Sequence, residues 1–319
     1  MVTKKFTIPV LPPFRLDLTA WTLRRRAKNE IDQWDGKRYS RILVIDNRAV
    51  RVLVEQHAAA ELTVTTSSEQ HSEAAATTVK ATLQKMFSVA TNLAPFYHLS
   101  ARDTQLQPLA QMFKGVKPPR FPTIFEALIN SIACQQISLD AGISLLNKLA
   151  ENYGLEYNDG QETQYAFPQP EDLCSISKEE MRKLGFSRQK TRAIAELATN
   201  LVEQRLDLST LDAAPNVEIV KILTQNWGIG RWSAEYTLLR GFGRLDILPG
   251  DDVGAQKNLM GLLELAARPN YDQIKALAQR WQPYAGLVYF HLLLEKLQEK
   301  GMLDGYESKG MMSRCERST

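Results

Sequence analysis

The fold of this chain is decided by residues 224–236, which read TQNWGIGRWSAEY. Two glycines, Gly228 and Gly230, stand at alternate positions, where they permit positive φ angles and let a ligand approach the backbone. Helical periodicity precedes this turn over residues 217–225 and returns over residues 231–240. The stretch therefore predicts a helix–hairpin–helix, whose second helix points free N–H groups and the positive end of its dipole outward.

Such a hairpin suits a DNA phosphate, which it would bind without reading the base sequence. A tight interhelical turn with no ligand is the alternative, because a motif of two glycines is short. Further along, residues 248–253 read LPGDDV. Proline and glycine break regular structure there, so an aspartate opens the next helix. We assign Asp251 to capping of that helix and Asp252 to chemistry.

Length and composition narrow the class of protein. The chain has 319 residues, enough for two domains or three small ones. Its 39 basic and 36 acidic side chains give a net charge of +3, which excludes a purely electrostatic DNA binder. No apolar run is long enough to span a bilayer, no signal peptide is visible, and three cysteines match no metal or disulfide spacing. We expect a monomeric intracellular protein, of a bacterial cytoplasm or a nucleus, without a membrane partner.

The pattern of the chain changes once along its length. Residues 41–45 and 50–54 are β-branched runs separated by a turn, and residues 62–66 suggest another strand, followed by a helix over about 77–89. The remainder is helical almost throughout. The sequence predicts three parts: an α+β domain over residues 1–98, a helical core over residues 99–301 and a polar tail over residues 302–319.

Residues 118–294 resemble the helix–hairpin–helix DNA glycosylase superfamily, and within it the DNA-3-methyladenine glycosylase II family. The resemblance rests on the hairpin, on Asp252 and on the segments FEAL (125–128), QQIS (135–138) and RWQPY (280–284). It implies an α+β fold in which a TATA-binding-protein-like domain precedes an all-α helix–hairpin–helix glycosylase core. It also implies hydrolysis of the N-glycosidic bond of alkylated bases, of the 3-methyladenine type, in damaged double-stranded DNA during base excision repair.

The resemblance gives roles to four side chains. Asp252 would face the sugar of a nucleotide flipped out of the duplex and stabilise the positive charge left when the base departs. Trp232 and Tyr236 lie four apart on one helix and would stack on a cationic base by cation–π attraction, together with Phe290; the alternative is that they are core aromatics. Bifunctional relatives carry Lys at position 232. Because an indole cannot form an imine, the chain is predicted to be monofunctional and to leave an abasic site.

DNA contacts are implied at the hairpin and at one residue outside it. Gln136 would fill the gap left by the flipped base, with helix capping as the alternative. The hairpin contacts would come from Gly228, Gly230, Arg231 and Ser233. A monovalent cation, Na⁺ or K⁺, would bind main-chain carbonyls of Thr224, Asn226 and Ile229. No other cofactor is expected.

Two other functions stay open. One is a glycosylase for another purine lesion on the same scaffold, and the other is a helix–hairpin–helix DNA-binding protein without catalysis. The family commonly has Arg-Ser after its Pro-aromatic pair, whereas this chain has Ala285-Gly286. Tyr289 and Phe290 either compensate for this difference or belong to the core. The presence of Asp252 argues against a non-catalytic protein.

Overall fold

A computed structural model describes residues 1–70 and 72–303 of the chain. The predicted polar tail lies outside the described residues from position 304 onward. The described part consists of an N-terminal antiparallel sheet followed by a helical core, which confirms the predicted α+β fold. In this part, no helix combines the length and apolar character needed to cross a membrane.

Five strands form the N-terminal sheet in the order β1-β5-β4-β3-β2. The predicted hairpin is confirmed, because Ile45 pairs with Arg48 across a turn of Asp46 and Asn47. Both turn residues have positive φ angles, of 50° and 58°, as a tight hairpin turn requires. The strands are β1 (Val2–Pro9), β2 (Gln33–Trp34), β3 (Arg38–Ile45), β4 (Arg48–Ala58) and β5 (Glu61–Ser68).

Two helices accompany the sheet. α2 (Glu73–Met86) begins before its predicted start, because Ser72 caps it by accepting a hydrogen bond from the Ala75 N–H. α1 (Leu16–Arg24) is not anticipated by the sequence analysis. It is buried on two faces: Leu16 and its neighbours enter the sheet core, whereas Trp21 packs with the helical core. α1 therefore joins the two parts of the molecule.

The rest of the chain is mainly helical. One hydrophobic cluster includes Leu128, Ile143 and Leu223, and a second includes Phe96, Leu259 and Leu287. The hairpin belongs to the first cluster and Asp252 begins a helix of the second, so the candidate site lies where the two meet. The helices are α3 (Ala94–Ser100), α4 (Leu106–Met112), α5 (Ile124–Cys134), α6 (Leu139–Tyr153), α7 (Pro170–Leu173), α8 (Lys178–Leu184), α9 (Arg188–Val202), α10 (Asn216–Thr224), α11 (Arg231–Thr237), α12 (Val253–Leu262), α13 (Tyr271–Ala278) and α14 (Ala285–Glu299).

A short hairpin of β6 (Glu156–Asn158) and β7 (Thr163–Tyr165) interrupts the helical core. It packs against the N-terminal sheet, where Tyr157 joins Ile42 in a small buried cluster. The sequence predicts no strand in this region, because three-residue strands are too short to leave a periodic signal.

A buried ion network also fixes the sheet to the core. The Arg41 guanidinium lies 2.9 Å from an Asp32 oxygen and also pairs with Glu126 of α5. All three side chains are almost fully buried. Removing one partner would leave an uncompensated buried charge, so this network holds the two parts in one relative position.

Candidate active site

The hairpin between α10 and α11 depends on one of its two glycines for its shape. Gly228 has a φ angle of +79°, and a Cβ atom there would lie 2.5 Å from the Ala193 Cβ. Gly230 has φ −92°, and a Cβ atom there would meet nothing within 4 Å. Ile229 between them is buried and anchors the turn in the core. Gly228 is therefore required by the fold, whereas Gly230 leaves open space at the start of α11.

The side chains predicted to contact DNA at the hairpin are engaged within the protein. Arg231 donates to both carboxylate oxygens of Asp251, at 2.7 and 3.1 Å, and its guanidinium lies 3.4 Å from the Tyr271 ring centroid. Ser233 is buried, and its hydroxyl accepts a hydrogen bond from Gln135 Nε2 at 2.8 Å. A phosphate at this turn would thus be bound mainly by backbone N–H groups.

Gln135 and Gln136 have opposite orientations at the end of α5. Gln135 Nε2 donates to the Gly228 carbonyl oxygen as well as to Ser233, so it ties α5 to the hairpin. Gln136 has a φ angle of 55° and an exposed side chain. Ser138, which accepts from the Ala141 N–H, caps α6. The structure thus presents Gln136 to solvent beside the hairpin, and its DNA contact stays a prediction.

The cap of α12 is not the aspartate that the sequence predicts. Asp252, not Asp251, is the N-cap of α12: its Oδ1 accepts the Ala255 N–H at 2.8 Å. The assignment of the cap to Asp251 is wrong, because Arg231 holds that carboxylate outside the helix. The second oxygen of Asp252 stays turned toward the site, so capping and chemistry use different atoms of one carboxylate.

Two donors surround the Oδ2 atom of Asp252. Trp232 Nε1 lies 3.1 Å from it, and the Tyr289 hydroxyl lies 3.4 Å from it. Burial raises the pKa of Tyr289 well above its ordinary value, so its phenol is protonated at neutral pH and can donate. Asp252 and Trp232 are each partly exposed. A half-buried carboxylate that a base could approach is thus held in one orientation.

The predicted base-pocket aromatics form a cluster behind this carboxylate. The rings of Trp232 and Tyr236 are 5.4 Å apart and tilted by 33°. Tyr236 and Phe290 are buried, the latter completely. Only Trp232 of the three is partly open to solvent, and Tyr289 is open to a similar extent.

Two buried arginines border this cluster, and the sequence analysis does not identify them. Arg25 donates to the Tyr236 hydroxyl at 3.0 Å and to Asn130 Oδ1 at 2.6 Å. The Arg240 guanidinium lies 5.0 Å from the Phe121 ring centroid, 5.7 Å from that of Tyr236 and 5.5 Å from that of Phe290. Burial lowers the pKa of Arg240. Arg25 sits in a run of basic residues that resembles an exposed charged segment, so no sequence signal indicates its burial.

Glu235 is a further site residue that sequence reasoning misses. It lies on α11, is 4% exposed, and accepts the Gly250 N–H on its Oε2 atom at 3.0 Å. Its position four residues after Arg231 places it on the same helix face. A charged residue at that spacing would ordinarily suggest a solvated face.

The three residues predicted to supply carbonyls to a cation border one cavity beside the hairpin. Its volume is about 660 Å³, and its lining includes Thr224, Asn226 and Ile229. The Asn226 carbonyl also accepts the Ile229 N–H at 3.1 Å, which shapes the turn. Oxygen donors of this kind suit a hard cation. Among residues 1–70 and 72–303, no group of three or more His, Cys, Asp or Glu side chains could hold a metal ion.

The hairpin and Asp252 lie within a match to a known family. The model described as "HhH-GPD superfamily base excision DNA repair protein" matches residues 129–283, which contain the hairpin, Trp232 and Asp252. Over these residues, slightly less than half of its length, the chain is similar to that superfamily.

Curated proteins that are similar to this chain carry related names. The Bacillus subtilis protein "Putative DNA-3-methyladenine glycosylase YfjP" is 26% identical over 170 residues, which span 53% of this chain and 58% of that relative. The B. subtilis "DNA-3-methyladenine glycosylase" is 25% identical over 210 residues, which span 66% of this chain and 69% of that protein.

A solved structure extends the comparison to the N-terminal sheet. The 3-methyladenine DNA-glycosylase from Archaeoglobus fulgidus superposes with a TM-score of 0.79 at 24% identity, over 91% of this chain and 97% of that chain. At this identity the likeness shows a common fold, and it includes most of the N-terminal part of the chain.

Proposed function

We propose that the chain is a monofunctional DNA glycosylase that removes alkylated bases, of the 3-methyladenine type, from double-stranded DNA in base excision repair. The names of its relatives support the reaction class. The observation that carries the proposal is the contact between α11 and Asp252. α11 begins at the hairpin suited to a phosphate, and its second residue, Trp232, donates to the Asp252 carboxylate.

In the proposed reaction the hairpin binds the DNA backbone and the damaged nucleotide turns out of the duplex toward Asp252. A damaged, poorly paired base costs less to extrude than a normal one, by a few kcal/mol. When the glycosidic bond breaks, the sugar gains positive charge, which the half-buried Asp252 carboxylate stabilises, because water screens such a charge less than a fully exposed one. A cationic alkylated base takes the bonding electron pair and leaves as a neutral molecule, so no strong general acid is needed. Water then adds to the sugar carbon and loses a proton, which gives the abasic site.

The identity of residue 232 supports hydrolysis without strand cleavage. Its indole nitrogen lies beside the Asp252 carboxylate, at 3.1 Å. A lysine in this place could attack the sugar carbon, whereas an indole has no nucleophilic amine with which to form an imine. The expected product is therefore an abasic site in an intact strand.

A lesion panel tests the reaction directly. Duplexes that each carry one 3-methyladenine, 1,N6-ethenoadenine or undamaged adenine are incubated with the protein and then treated with alkali. Strand breaks that appear at the lesion only after alkali support a monofunctional glycosylase. Breaks without alkali contradict the monofunctional assignment, and the absence of base release from every duplex contradicts the glycosylase assignment.

One observation favours a second candidate, a glycosylase for neutral purine lesions. The faces of Tyr236 and Phe290 already adjoin the Arg240 guanidinium, so less cation–π attraction is left for a cationic base. A neutral base with ring acceptors would meet no charge repulsion there. When a hypoxanthine duplex is added to the panel, release of hypoxanthine or ethenoadenine in preference to 3-methyladenine would support this candidate.

We also propose a monovalent cation at the carbonyls of Thr224, Asn226 and Ile229. It would neutralise part of the phosphate charge at the hairpin. Affinity for an abasic-site duplex is compared in potassium chloride and in tetramethylammonium chloride at equal ionic strength, so that general screening is the same. Tighter binding in potassium supports the ion, and equal binding contradicts it.

Finally, we propose that the protein acts as a monomer inside the cell, where its DNA substrate is. Light scattering of the free protein and of its complex with a short duplex gives the stoichiometry, and a mass of two chains per duplex contradicts the monomer.

A further inference from the structure

Three side chains on one face of α11 contact three consecutive residues of the segment that carries Asp252. We call residues 249–252 the carboxylate segment. Arg231 binds the Asp251 side chain, Trp232 binds the Asp252 side chain, and Glu235 binds the Gly250 backbone N–H. The helix that starts at the hairpin therefore also sets the position of the carboxylate. Of the three contacts, only the one from Glu235 is made to the backbone.

Glu235 is a buried carboxylate that the proposed chemistry does not use. Its Oε2 atom accepts the Gly250 N–H at 3.0 Å. Its Oε1 atom accepts the Tyr271 hydroxyl at 2.8 Å and lies 3.0 Å from Lys275 Nζ. A buried charge is stable only when it is paired and hydrogen-bonded, and each oxygen of Glu235 has such a partner.

The other groups of Gly250 are fixed as well. Its carbonyl oxygen accepts Gln256 Nε2 at 2.8 Å. A Cβ atom at this position would lie 2.7 Å from the Tyr271 ring, so the ring closes one side of the residue. The Asp252 N–H in turn bonds to the Pro249 carbonyl at 3.2 Å. The backbone of Gly250 is therefore held in place on both sides, and the carboxylate segment continues from it toward the site.

We propose that Glu235 is a positioning residue for the glycosylase reaction proposed above. It holds the Gly250 N–H so that Asp252 stays at the distance from the hairpin that the flipped sugar requires. Glu235 itself touches neither the base nor the sugar. Its loss would shift the carboxylate while leaving the hairpin and the DNA contacts intact.

Single-turnover excision with excess enzyme measures this role, because it reports the chemical step. Glu235→Ala is expected to slow excision about 100-fold, the size associated with a misplacement of about 1 Å at a reacting centre. Glu235→Gln keeps an oxygen acceptor for the Gly250 N–H, so excision should remain within about tenfold of the wild type. Glu235→Asp keeps the charge but draws it back by one methylene, so it should be slower than Glu235→Gln.

The affinity for a duplex with a tetrahydrofuran abasic analogue separates positioning from general damage to the fold. It should change no more than about twofold in the three variants, since the backbone contacts of the hairpin supply binding. Tyr271→Phe is the matched control: it keeps the ring against Gly250 and removes one of the donors to Glu235. Its excision rate should lie within about fivefold of the wild type, as expected for the loss of one hydrogen bond.

The outcomes are distinct. A folded Glu235→Ala that excises at the wild-type rate overturns the inference, as does a variant whose rate and DNA affinity fall together. If Glu235→Ala does not fold, the excision rates of the other two variants are compared. The inference is overturned if Glu235→Asp excises as fast as Glu235→Gln. A wild-type chain that releases no base from any duplex is a failure of the proposed function itself, and the inference fails with it.

Discussion

The hairpin and the carboxylate segment both adjoin α11, yet they use different parts of the chain. The hairpin offers backbone groups, and its side chains Arg231 and Ser233 are engaged within the protein. The carboxylate segment offers one side-chain atom, Oδ2 of Asp252, and its backbone is bound by Glu235 and Gln256. The hairpin should therefore tolerate side-chain changes that preserve its φ angles, whereas the carboxylate segment should tolerate none at position 252.

The largest effect is expected at the carboxylate. Asp252→Asn should lower the single-turnover excision rate by about 100- to 1000-fold, because it removes the charge that stabilises the sugar cation. The amide oxygen can still accept the Ala255 N–H, so the cap of α12 and the affinity for abasic DNA should be retained. Asp251→Asn is the control and should keep most of the activity. Equal losses in the two variants would remove Asp252 from its proposed role.

The next effect concerns the helix behind the carboxylate. His291 of α14 is buried beside the Phe96 ring, 5.0 Å away, and burial lowers its pKa from 6.5 to about 4. The unfolded chain binds this proton at higher pH than the folded chain does. Stability is therefore fully present above about pH 6.5 and is lost as the pH falls toward 4, by about 3 kcal/mol.

Urea unfolding tests this acid sensitivity. Between about pH 7 and pH 4, the free energy of unfolding should fall less in His291→Phe than in the wild type, since the carboxylates of both proteins titrate alike. If the difference in the free energy of unfolding between the wild type and His291→Phe is the same at every pH, then His291 does not titrate as its burial indicates.

A smaller effect is expected at the hairpin. Gly228→Ala places a Cβ atom 2.5 Å from the Ala193 Cβ and forces a non-glycine residue to a φ angle of +79°. Such a conformation costs about 1–2 kcal/mol, so the turn should relax away from the geometry that suits a phosphate. Restoring that geometry on binding should lower the affinity for an abasic-site duplex about tenfold. Gly230→Ala is the matched control, because its Cβ atom meets nothing within 4 Å of the protein. A larger loss for Gly230→Ala than for Gly228→Ala would mean that clearance for the phosphate, not turn geometry, limits binding.

The smallest effect should come from the contact that joins the two regions. Trp232→Phe keeps an aromatic ring and removes the Nε1–H donor that lies 3.1 Å from Asp252. The loss of one partly exposed hydrogen bond, about 1 kcal/mol, should slow excision about fivefold. Binding to abasic DNA serves as the internal reference and should not change. An unaltered excision rate would show that Tyr289 and the helix cap suffice to orient the carboxylate.

Local patterns account for much of what the sequence predicts. The glycine pair and the helical periodicity on both sides give the helix–hairpin–helix, and the β-branched runs around Asp46 and Asn47 give the N-terminal hairpin. Both depend on residues close together in the chain. The sequence pattern does not distinguish Asp251 from Asp252 as the cap, because either residue can cap a helix at this point. Arg231, twenty positions earlier in the chain, pairs with Asp251, and Asp252 is left to cap the helix.

By itself, the sequence determined the order of the elements, the hairpin and the presence of a carboxylate one helix beyond it, because these follow from periodicity and backbone preferences over a few residues. Only the tertiary structure decided which atom of Asp252 faces the site, that Arg25 from the N-terminal part reaches Tyr236, and that Glu235 is buried against Gly250. These contacts join residues far apart in the chain. Their geometry depends on how α1, α11 and α12 pack, which no local pattern of residues records.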